Sequence, residues 1–334
     1  MLRTLSLTLC TCALLASAAT TPSQSLLVLS KGDLTLSIVD PVTMQVIARM
    51  PSGQDPHEVI ASADGKLAYI SNYGGGSLAT ITVVDLVAQK TLAPIELGPL
   101  RGPHGLDFAA GKLWFTAEGA KVIGSYDPGS KKIDWVLGTG QNRTHMIYLM
   151  NDGKRMITSN VSSATMTLIE KVTRPGPRPG MPAREDWDEV VVPVGRGVEG
   201  FDVSPGGNEI WAANSQDGTI SVIDYAAKKV VATLDANVRG ANRLKFTPDG
   251  KHVLVSSLSN ADLTILDAAT RQTVKRLPIG RGAAGIQMDP GGARAFVACT
   301  PDSYVTIIDL KMLTVAGKLD AGKQPDGMAW SVMR

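Results

Sequence analysis

One short pattern occurs seven times in this chain: an alternating, β-branched segment that ends in a carboxylate. The carboxylates recur about every 42 residues, and a repeat of that length is typical of stacked four-stranded β-sheets. They are Asp40, Asp85, Asp127, Glu170, Asp224, Asp267 and Asp309. A short carboxylate at the end of a strand accepts hydrogen bonds from the backbone just ahead of it. The seven residues therefore indicate strand-ending turns in seven repeats.

Tight hairpins are the second repeated feature. Asp-Gly and Gly-Gly supply the positive φ that two-residue hairpins need, and six repeats carry such a turn or a variant of it. Residues 26–49 supply three strands with no strand before them, and the chain ends just after the apolar stretch 328–332. We therefore predict an all-β fold, a seven-bladed β-propeller of four-stranded antiparallel blades. It would be closed by pairing the C-terminal strand with the N-terminal three strands, which removes exposed sheet edges.

The repeat unit itself resembles a known family. The segment VEGFDVSPGGNEIWAANS, which begins at Val198, resembles the YVTN-type β-propeller repeat, and AYISN at 68–72 stands where the naming tetrapeptide of that family lies. The resemblance covers nearly the whole chain after its first residues. It implies the propeller fold, and it implies no particular activity because one such fold hosts many functions.

Length and charge set further limits. The chain has 334 residues, enough for two domains, but the regular repeat predicts that residues 19–334 form a single domain. The formal charge is only +2, so no global field attracts nucleic acid or an anionic membrane. We expect a monomer with no nucleic-acid partner and no membrane span.

Residues 1–18 have the pattern of a secretory signal peptide. Arg3 supplies the positive start, residues 5–15 the apolar run, and Ala16-Ser17-Ala18 a small-residue cleavage site. The apolar run of about 11 residues is too short to anchor the chain in a bilayer. We predict a periplasmic or secreted protein, which would keep Cys299 alone and fold without an internal disulfide.

Three of the four histidines fall at one position of the repeat, the start of the predicted inner strand. Because a propeller packs its inner strands around one axis, these side chains should converge on the central channel. Successive repeats place there His57, His104, His145, Glu199, Asn242, Ala284 and Asp326. Imidazoles and a carboxylate suit zinc, iron, manganese or nickel, so we predict a divalent-metal site formed by His57, His104, His145 and Glu199. The alternative is that the imidazoles are merely solvated at the channel mouth.

One blade, at about residues 101–128, resembles a repeat of the streptogramin (virginiamycin B) lyase family. The match runs through Pro103-His104-Gly105, the segment LWFT at 113–116, and Glu118. The resemblance implies magnesium-dependent opening of a lactone by elimination, with His104 as the general base and Glu118 as a metal ligand. An imidazole with an ordinary pKa near 6.5 suits proton abstraction at neutral pH.

Basic residues cluster just ahead of the predicted inner strands and beside the residues that begin those strands. Guanidinium groups around a channel mouth could clamp a carboxylate, phosphate or sulfate through paired hydrogen bonds, although exposed arginines are also common in such connecting segments. The candidates for ligand binding are Arg101, Arg143, Arg196, Arg239, Arg243 and Arg281.

Two functions follow from these features. The first is a metal-dependent lyase or hydrolase that acts on a small anionic or lactone-type molecule. The alternative is a non-catalytic propeller scaffold that binds a protein, glycan or small ligand. A Pro-rich insertion over residues 174–187 of blade three favours the alternative, because Trp187 would be an exposed aromatic contact on a surface loop. The up-down strand order places this loop on the face opposite the predicted site.

Overall fold

Residues 20–334, described by the computed structural model, form seven antiparallel sheets in a ring. The predicted signal peptide, residues 1–18, lies outside the described residues. We number the blades from the one that begins at His57, so that blade seven is the one that closes the ring. The predicted seven-bladed β-propeller is confirmed, and nearly all of its regular structure is β-strand.

The strands follow one another from the channel outward within each blade. Blade seven begins and blades one to three follow with β1 (Gln24–Ser30), β2 (Thr35–Asp40), β3 (Gln45–Pro51), β4 (Pro56–Ala61), β5 (Leu67–Asn72), β6 (Thr80–Asp85), β7 (Lys90–Thr91), β8 (Ile95–Glu96), β9 (Pro103–Ala109), β10 (Lys112–Ala117), β11 (Val122–Asp127), β12 (Lys132–Gly138), β13 (Thr144–Leu149), β14 (Arg155–Asn160), β15 (Thr165–Arg174) and β16 (Arg184–Pro193). Blades four to six and the closing strand are β17 (Val198–Val203), β18 (Glu209–Asn214), β19 (Thr219–Asp224), β20 (Lys229–Leu234), β21 (Ala241–Phe246), β22 (His252–Ser257), β23 (Asp262–Asp267), β24 (Thr273–Pro278), β25 (Ala283–Met288), β26 (Arg294–Cys299), β27 (Tyr304–Asp309), β28 (Thr314–Leu319) and β29 (Pro325–Val332).

The C-terminal strand closes the ring as predicted. β29 pairs with β1 in the sheet order β29-β1-β2-β3, with Leu26 opposite Trp330 and Leu27 opposite Ala329. Apolar side chains of one blade pack on the next: Leu27 and Ile38 of blade seven lie in one buried cluster with Ile70 of blade one. Burial of each such side chain contributes roughly 1.5–3 kcal/mol.

Blade one departs from the four-strand pattern at its outer edge. Its last strand is split into β7 and β8, both paired with β6, and Pro94 lies in the gap. Proline has no N–H to donate, so it interrupts an outer strand at little cost. The helical elements among residues 20–334 are the 3-10 turns Gly74–Gly76 and Thr300–Asp302. None of the helices in this part of the chain is long and apolar enough to cross a membrane.

The repeated carboxylates act as turn residues. In Asp40, for example, Oδ1 accepts a hydrogen bond of 2.9 Å from the backbone N–H of Val42, and the other five aspartates make equivalent contacts. Glu170 differs because its strand does not turn there. Its carboxylate instead accepts a hydrogen bond from the hydroxyl of Tyr225 in the next blade and pairs with Lys228.

The insertion of blade three is partly strand. β15 and β16 have ten residues each and stay paired as far as Arg174 opposite Arg184, so the loop itself spans only residues 175–183. Trp187 therefore lies in a strand, half-buried, with its ring centroid 5.5 Å from that of Trp135. Since Thr144 and Asn160 pair at the channel-mouth end of this blade, the loop emerges on the opposite face, as the strand order predicts.

Candidate metal site at the channel mouth

The inner strands bring seven residues that share one position of the repeat to one end of the ring. We call this set the column: His57, His104, His145, Glu199, Asn242, Ala284 and Asp326. In four of the seven blades a glycine follows the column residue, because neighbouring inner strands approach each other closely there. A Cβ at Gly105 would lie 2.5 Å from the carbonyl oxygen of His145, and one at Gly327 would lie 2.3 Å from that of His57. Real Cβ contacts are longer, so only glycine allows the histidine-bearing strands to pack this closely.

Hydroxyl groups on the second strands fix the backbone of the column. Thr116 Oγ1 accepts a hydrogen bond from the N–H of Gly105 and donates one of 2.7 Å to the carbonyl oxygen of His145 in the next blade. Ser159 and Ser256 donate in the same way to the carbonyl oxygens of Glu199 and Ala284. Blades two, three and five thus each position the column residue of the next blade.

His104 lies at the centre of the site and is only 2% exposed. Its ring is 3.8 Å from that of His145 between centroids, and its Nε2 is 3.2 Å from Nδ1 of His57. The Nδ1 atom of His104 is buried and has no hydrogen-bond partner among the described residues. A buried polar atom without a partner is rare in native proteins and marks a place where a ligand or ion belongs.

His145 is held between two carboxylates. Its Nδ1 contacts Oε1 of Glu118, and its Nε2 lies 2.9 Å from Oε2 of Glu199. Glu118 is also buried, and its second oxygen accepts hydrogen bonds from the hydroxyl of Tyr73 at 2.6 Å and from Nε of Arg143 at 3.3 Å. These contacts fix both ends of the Glu118 carboxylate.

One atom each of His104, Glu118 and His145 lies within 4.8 Å of the others, so this buried cluster could hold a metal ion. Nδ1 of His104 has no hydrogen-bond partner among residues 20–334, whereas Nδ1 of His145 contacts Glu118, the third member of the cluster. The Nε2 atoms of the two histidines contact His57 and Glu199, so each ring would bind an ion through Nδ1. Outer partners of this kind orient metal-ligating histidines and fix their tautomers. The sequence predicted His57, His104, His145 and Glu199 as ligands and, through the lyase resemblance, Glu118. The cluster that could hold an ion joins His104, Glu118 and His145, while His57 contacts His104 and Glu199 contacts His145.

The electrostatics of the two histidines differ. Burial, followed by the neighbouring His145 and His57, holds the pKa of His104 well below its ordinary 6.5, so this imidazole is neutral at pH 7. Burial also acts on His145, but Glu199 and Glu118 outweigh it and raise the pKa of that ring. Although burial favours the protonated carboxyl, His145 and Arg143 lower the pKa of Glu199 to about 2. Metal ligation requires neutral imidazoles and ionised carboxylates. His104 and Glu118 are already in these states, whereas His145 would release a proton when an ion binds.

The channel mouth carries more carboxyl groups than basic side chains. The carboxyl groups are those of Asp55, Glu58, Glu118, Glu199 and Asp326, and the basic side chains are those of Lys31, Arg143 and Arg243. Burial raises the pKa of Asp326, which removes part of the excess, and protonation of His145 removes another part. A divalent cation would offset the same excess.

A cavity of about 500 Å³ opens above this cluster. Besides the histidines, it is lined by Lys31, Asn242, Ala284 and Asp326. The Nζ of Lys31 lies 2.8 Å from Nε2 of His57 and 3.3 Å from Oδ2 of Asp326. Sequence reasoning missed Lys31. The available signal was its position directly after the second strand of its blade, which Tyr73 also occupies in blade one.

Only two of the six predicted arginines reach the cavity. Arg143 and Arg243 line it, and the guanidinium of Arg243 pairs with Glu58 from the inner strand of blade one. The other four are exposed and do not line the cavity: Arg101, Arg196, Arg239 and Arg281. Two of these pair with surface aspartates, Arg196 with Asp217 and Arg281 with Asp302.

No protein-family model and no curated protein matches this chain. Among solved structures, a "putative 6-phosphogluconolactonase" from Bacteroides uniformis is similar with a TM-score of 0.71 at 14% identity, over 92% of this chain and 99% of that one. Hydrazine synthase from Kuenenia stuttgartiensis is similar with a TM-score of 0.65 at 19% identity, over 82% and 89%. The dihydro-heme d1 dehydrogenase NirN, in complex with DHE, gives a TM-score of 0.64 at 16% identity, over 91% and 74%. At such identities the likeness shows the propeller fold alone.

Proposed function

We propose that this protein is a metal-dependent lyase or hydrolase that opens a small anionic or lactone-type molecule at its channel mouth. The observation that carries the proposal is the unpartnered Nδ1 atom of His104 beside Glu118 and His145. Leaving such an atom unpaired costs roughly 1–3 kcal/mol, which coordination to an ion removes. Two imidazole nitrogens and one carboxylate oxygen suit zinc, iron, manganese or nickel, and magnesium would depend more on the carboxylate and on water.

The residues of the site have three different roles: they hold the ion, orient its ligands or bind the substrate. His104, Glu118 and His145 hold the ion, while His57 and Glu199 orient the two histidines. A bound divalent ion supplies a Lewis acid that polarises a carbonyl or lowers the pKa of a water. Arg143 and Lys31 face the cavity and attract an anionic group of the substrate. Asp326, whose pKa burial raises, is positioned in the same cavity to accept or return a proton.

A metal-free reaction is the second candidate, and the position of His145 favours it. An imidazolium held between Glu118 and Glu199 is a stable arrangement without any ion. In that case the neutral His104 would act as the general base, the role that the lyase resemblance gives it, and Arg143 with Lys31 would stabilise the negative charge that develops on the substrate.

Metal analysis separates the two candidates. Protein purified without chelator should contain about one equivalent of metal, and the stripped protein should gain thermal stability with one of Zn, Mn, Fe(II), Ni or Mg. An excess of about 100 times the Kd contributes about 2.7 kcal/mol. His104→Ala and His145→Ala should abolish this gain, whereas His252→Ala, at the end of β22 that lies away from the channel mouth, should retain it. Absence of stoichiometric metal together with unchanged stability for all five ions would reject the metal-dependent function.

Hydrolysis and elimination can be distinguished on the same preparations. A panel of small lactones is incubated with metal-loaded protein, and the products are examined by mass spectrometry. Hydrolysis adds the mass of one water, whereas elimination leaves the mass unchanged and creates a carbon–carbon double bond with ultraviolet absorbance. Turnover by His104→Ala equal to that of the wild type would place the chemistry outside this site.

We also propose that the protein acts outside the cytoplasm, on the basis of its N-terminal segment. N-terminal sequencing of the protein from its native host should show cleavage close to residue 18. An intact N-terminus on the cytosolic protein would overturn this proposal.

A further inference from the structure

A second cavity, of about 500 Å³, lies between blades two and three on the face opposite the channel mouth. The indole rings of Trp114, Trp135 and Trp187 line it, together with the ion pairs Lys112–Asp134 and Lys171–Glu185. We call this set the tryptophan cleft. None of these residues belongs to the metal site.

The insertion of blade three builds one wall of the tryptophan cleft. β15 and β16 extend past the pair Glu170–Asp188, at which the acidic residue ends the strand in the other blades. Lys171, Glu185 and Trp187 all lie in this extension. The insertion therefore supplies a tryptophan and an ion pair to a cavity that the regular repeat would leave open.

The three indole rings form a connected series. Trp135 lies 5.5 Å from Trp114 at an interplanar angle of 66° and 5.5 Å from Trp187 at 54°. Trp114 is only 7% exposed and supports the other two, which are half-buried and keep part of their surface in the cleft. Two indole surfaces set at an angle offer apolar faces that are already fixed by packing, so little side-chain entropy is lost on binding.

The charges of the tryptophan cleft are paired within the protein. Lys112 binds Asp134, Lys171 binds Glu185, and Asp186 accepts a hydrogen bond of 3.0 Å from Nε of Arg174. No excess charge therefore selects an ionic ligand. The carboxylates nevertheless keep free lone pairs and the ammonium groups further N–H donors, which can bind hydroxyl groups.

We propose that the tryptophan cleft binds a neutral oligosaccharide. The C–H faces of a pyranose ring are apolar and flat enough to pack on Trp135 and Trp187, and its hydroxyls both donate to Asp134 or Glu185 and accept from the lysines. A proline-rich peptide would also pack on indoles, but its backbone is poor in donors and could not use the remaining lone pairs of these carboxylates. The chemistry of the lining therefore favours the sugar.

Titration with neutral hexasaccharides tests this proposal. Cellohexaose, maltohexaose, xylohexaose and hexa-N-acetylchitohexaose are added to the intact protein, and binding is followed by tryptophan fluorescence and calorimetry. We expect saturable binding of at least one of them with a Kd of about 1 mM or tighter. Trp187→Ala should weaken it about tenfold or more, and Trp330→Phe, which changes a tryptophan of blade seven, should not.

The other outcomes overturn the proposal. These are no saturable change with any of the four sugars, tighter binding of hexagalacturonate than of the neutral sugars, or binding of a decaproline peptide in their place. An equal affinity in Trp187→Ala would also overturn it, provided that its circular dichroism and thermal unfolding match those of the wild type. Metal content should be the same in Trp187→Ala and wild type, so this result does not depend on the metal-dependent function.

Discussion

His57 Nδ1 lies 3.2 Å from His104 Nε2, in a contact that joins the inner strands of blades one and two. The contact occupies one nitrogen of His104 and leaves Nδ1, the buried atom without a partner, as its remaining donor. His57 is in turn fixed by Asp55 at 3.2 Å and by Lys31 at 2.8 Å. The ring of His104 therefore has one defined orientation before any ligand binds.

The first prediction concerns this contact. His57→Ala should weaken metal binding about 10–100-fold without abolishing it, because the substitution removes an outer partner and keeps all three ligands. His104→Ala should remove binding altogether. Competition with a chromophoric chelator measures both, with His252→Ala as the control. Equal loss in His57→Ala and His104→Ala would mean that His57 is itself a ligand.

A second prediction tests how the blades position the site. Thr116→Val keeps the shape of the side chain but removes the hydrogen bonds to Gly105 and to the carbonyl oxygen of His145. Leaving these buried groups unpaired should cost about 1–3 kcal/mol of unfolding free energy, and metal affinity should fall because His145 loses a support. Ser256→Ala removes the equivalent bond to Ala284, which is not a member of the metal-binding cluster.

Urea unfolding and metal titration on both variants separate the two effects. Both should lose stability, but only Thr116→Val should lose metal affinity. A similar loss of affinity in both variants would show that the hydroxyls act on general stability and that Thr116 has no special role at the site.

The third prediction follows from the opposite pKa shifts of two residues in contact: the pKa of Glu199 is lowered and that of His145 is raised. In chelator-treated protein the pKa of Glu199 falls from 4.5 to about 2, so its contribution is complete above pH 4.5 and is lost as the pH falls toward 2. The pKa of His145 is raised above 6.5, so its contribution is complete below pH 6.5 and is lost as the pH rises through the raised value. Their shared contribution should be greatest between pH 4.5 and 6.5.

Comparison with Glu199→Gln isolates this contribution, because the other histidines titrate in both proteins. The melting temperature of the wild type should exceed that of Glu199→Gln most between pH 4.5 and 6.5 and should approach it on either side. A difference that is constant from pH 3 to pH 9 would contradict the coupling of the two residues.

Local chemistry made the fold predictable. Each strand-ending aspartate binds the backbone two or three residues ahead, and each hairpin glycine takes a φ that other residues resist, so each of these marks recurs in six of the seven repeats. Closure by β29 followed because residues 26–49 lacked a partner strand. The extension of β15 and β16 was less predictable, since REDWD shows no clear alternation and stands next to a proline-rich loop.

The site was predictable only in part. Repeat alignment gives the angular position of a residue around the channel, and it correctly brought His57, His104 and His145 together. It does not give the height and reach of each side chain. These decide that Glu118 contacts Nδ1 of His145 and lies in the cluster with His104, whereas Glu199 contacts Nε2 on the other side of the His145 ring. The sequence likewise offered both Arg143 and Arg281 as candidates for ligand binding, but Arg143 lines the cavity and Arg281 does not.

The fourth prediction concerns the ion pair between Arg243, which lines the cavity, and Glu58. Arg243 and Glu58 come from blades five and one and are nearly buried, with side chains 11% and 15% exposed. Glu58→Gln should cost about 3 kcal/mol in unfolding free energy, because it leaves a buried guanidinium short of its nearest charge, although Asp326 and Glu199 still act on it. Lys251→Ala breaks a pair that is 74% and 54% exposed and should cost less than about 1 kcal/mol. Urea unfolding measures both; equal, small losses would mean that Arg243 is stabilised without Glu58.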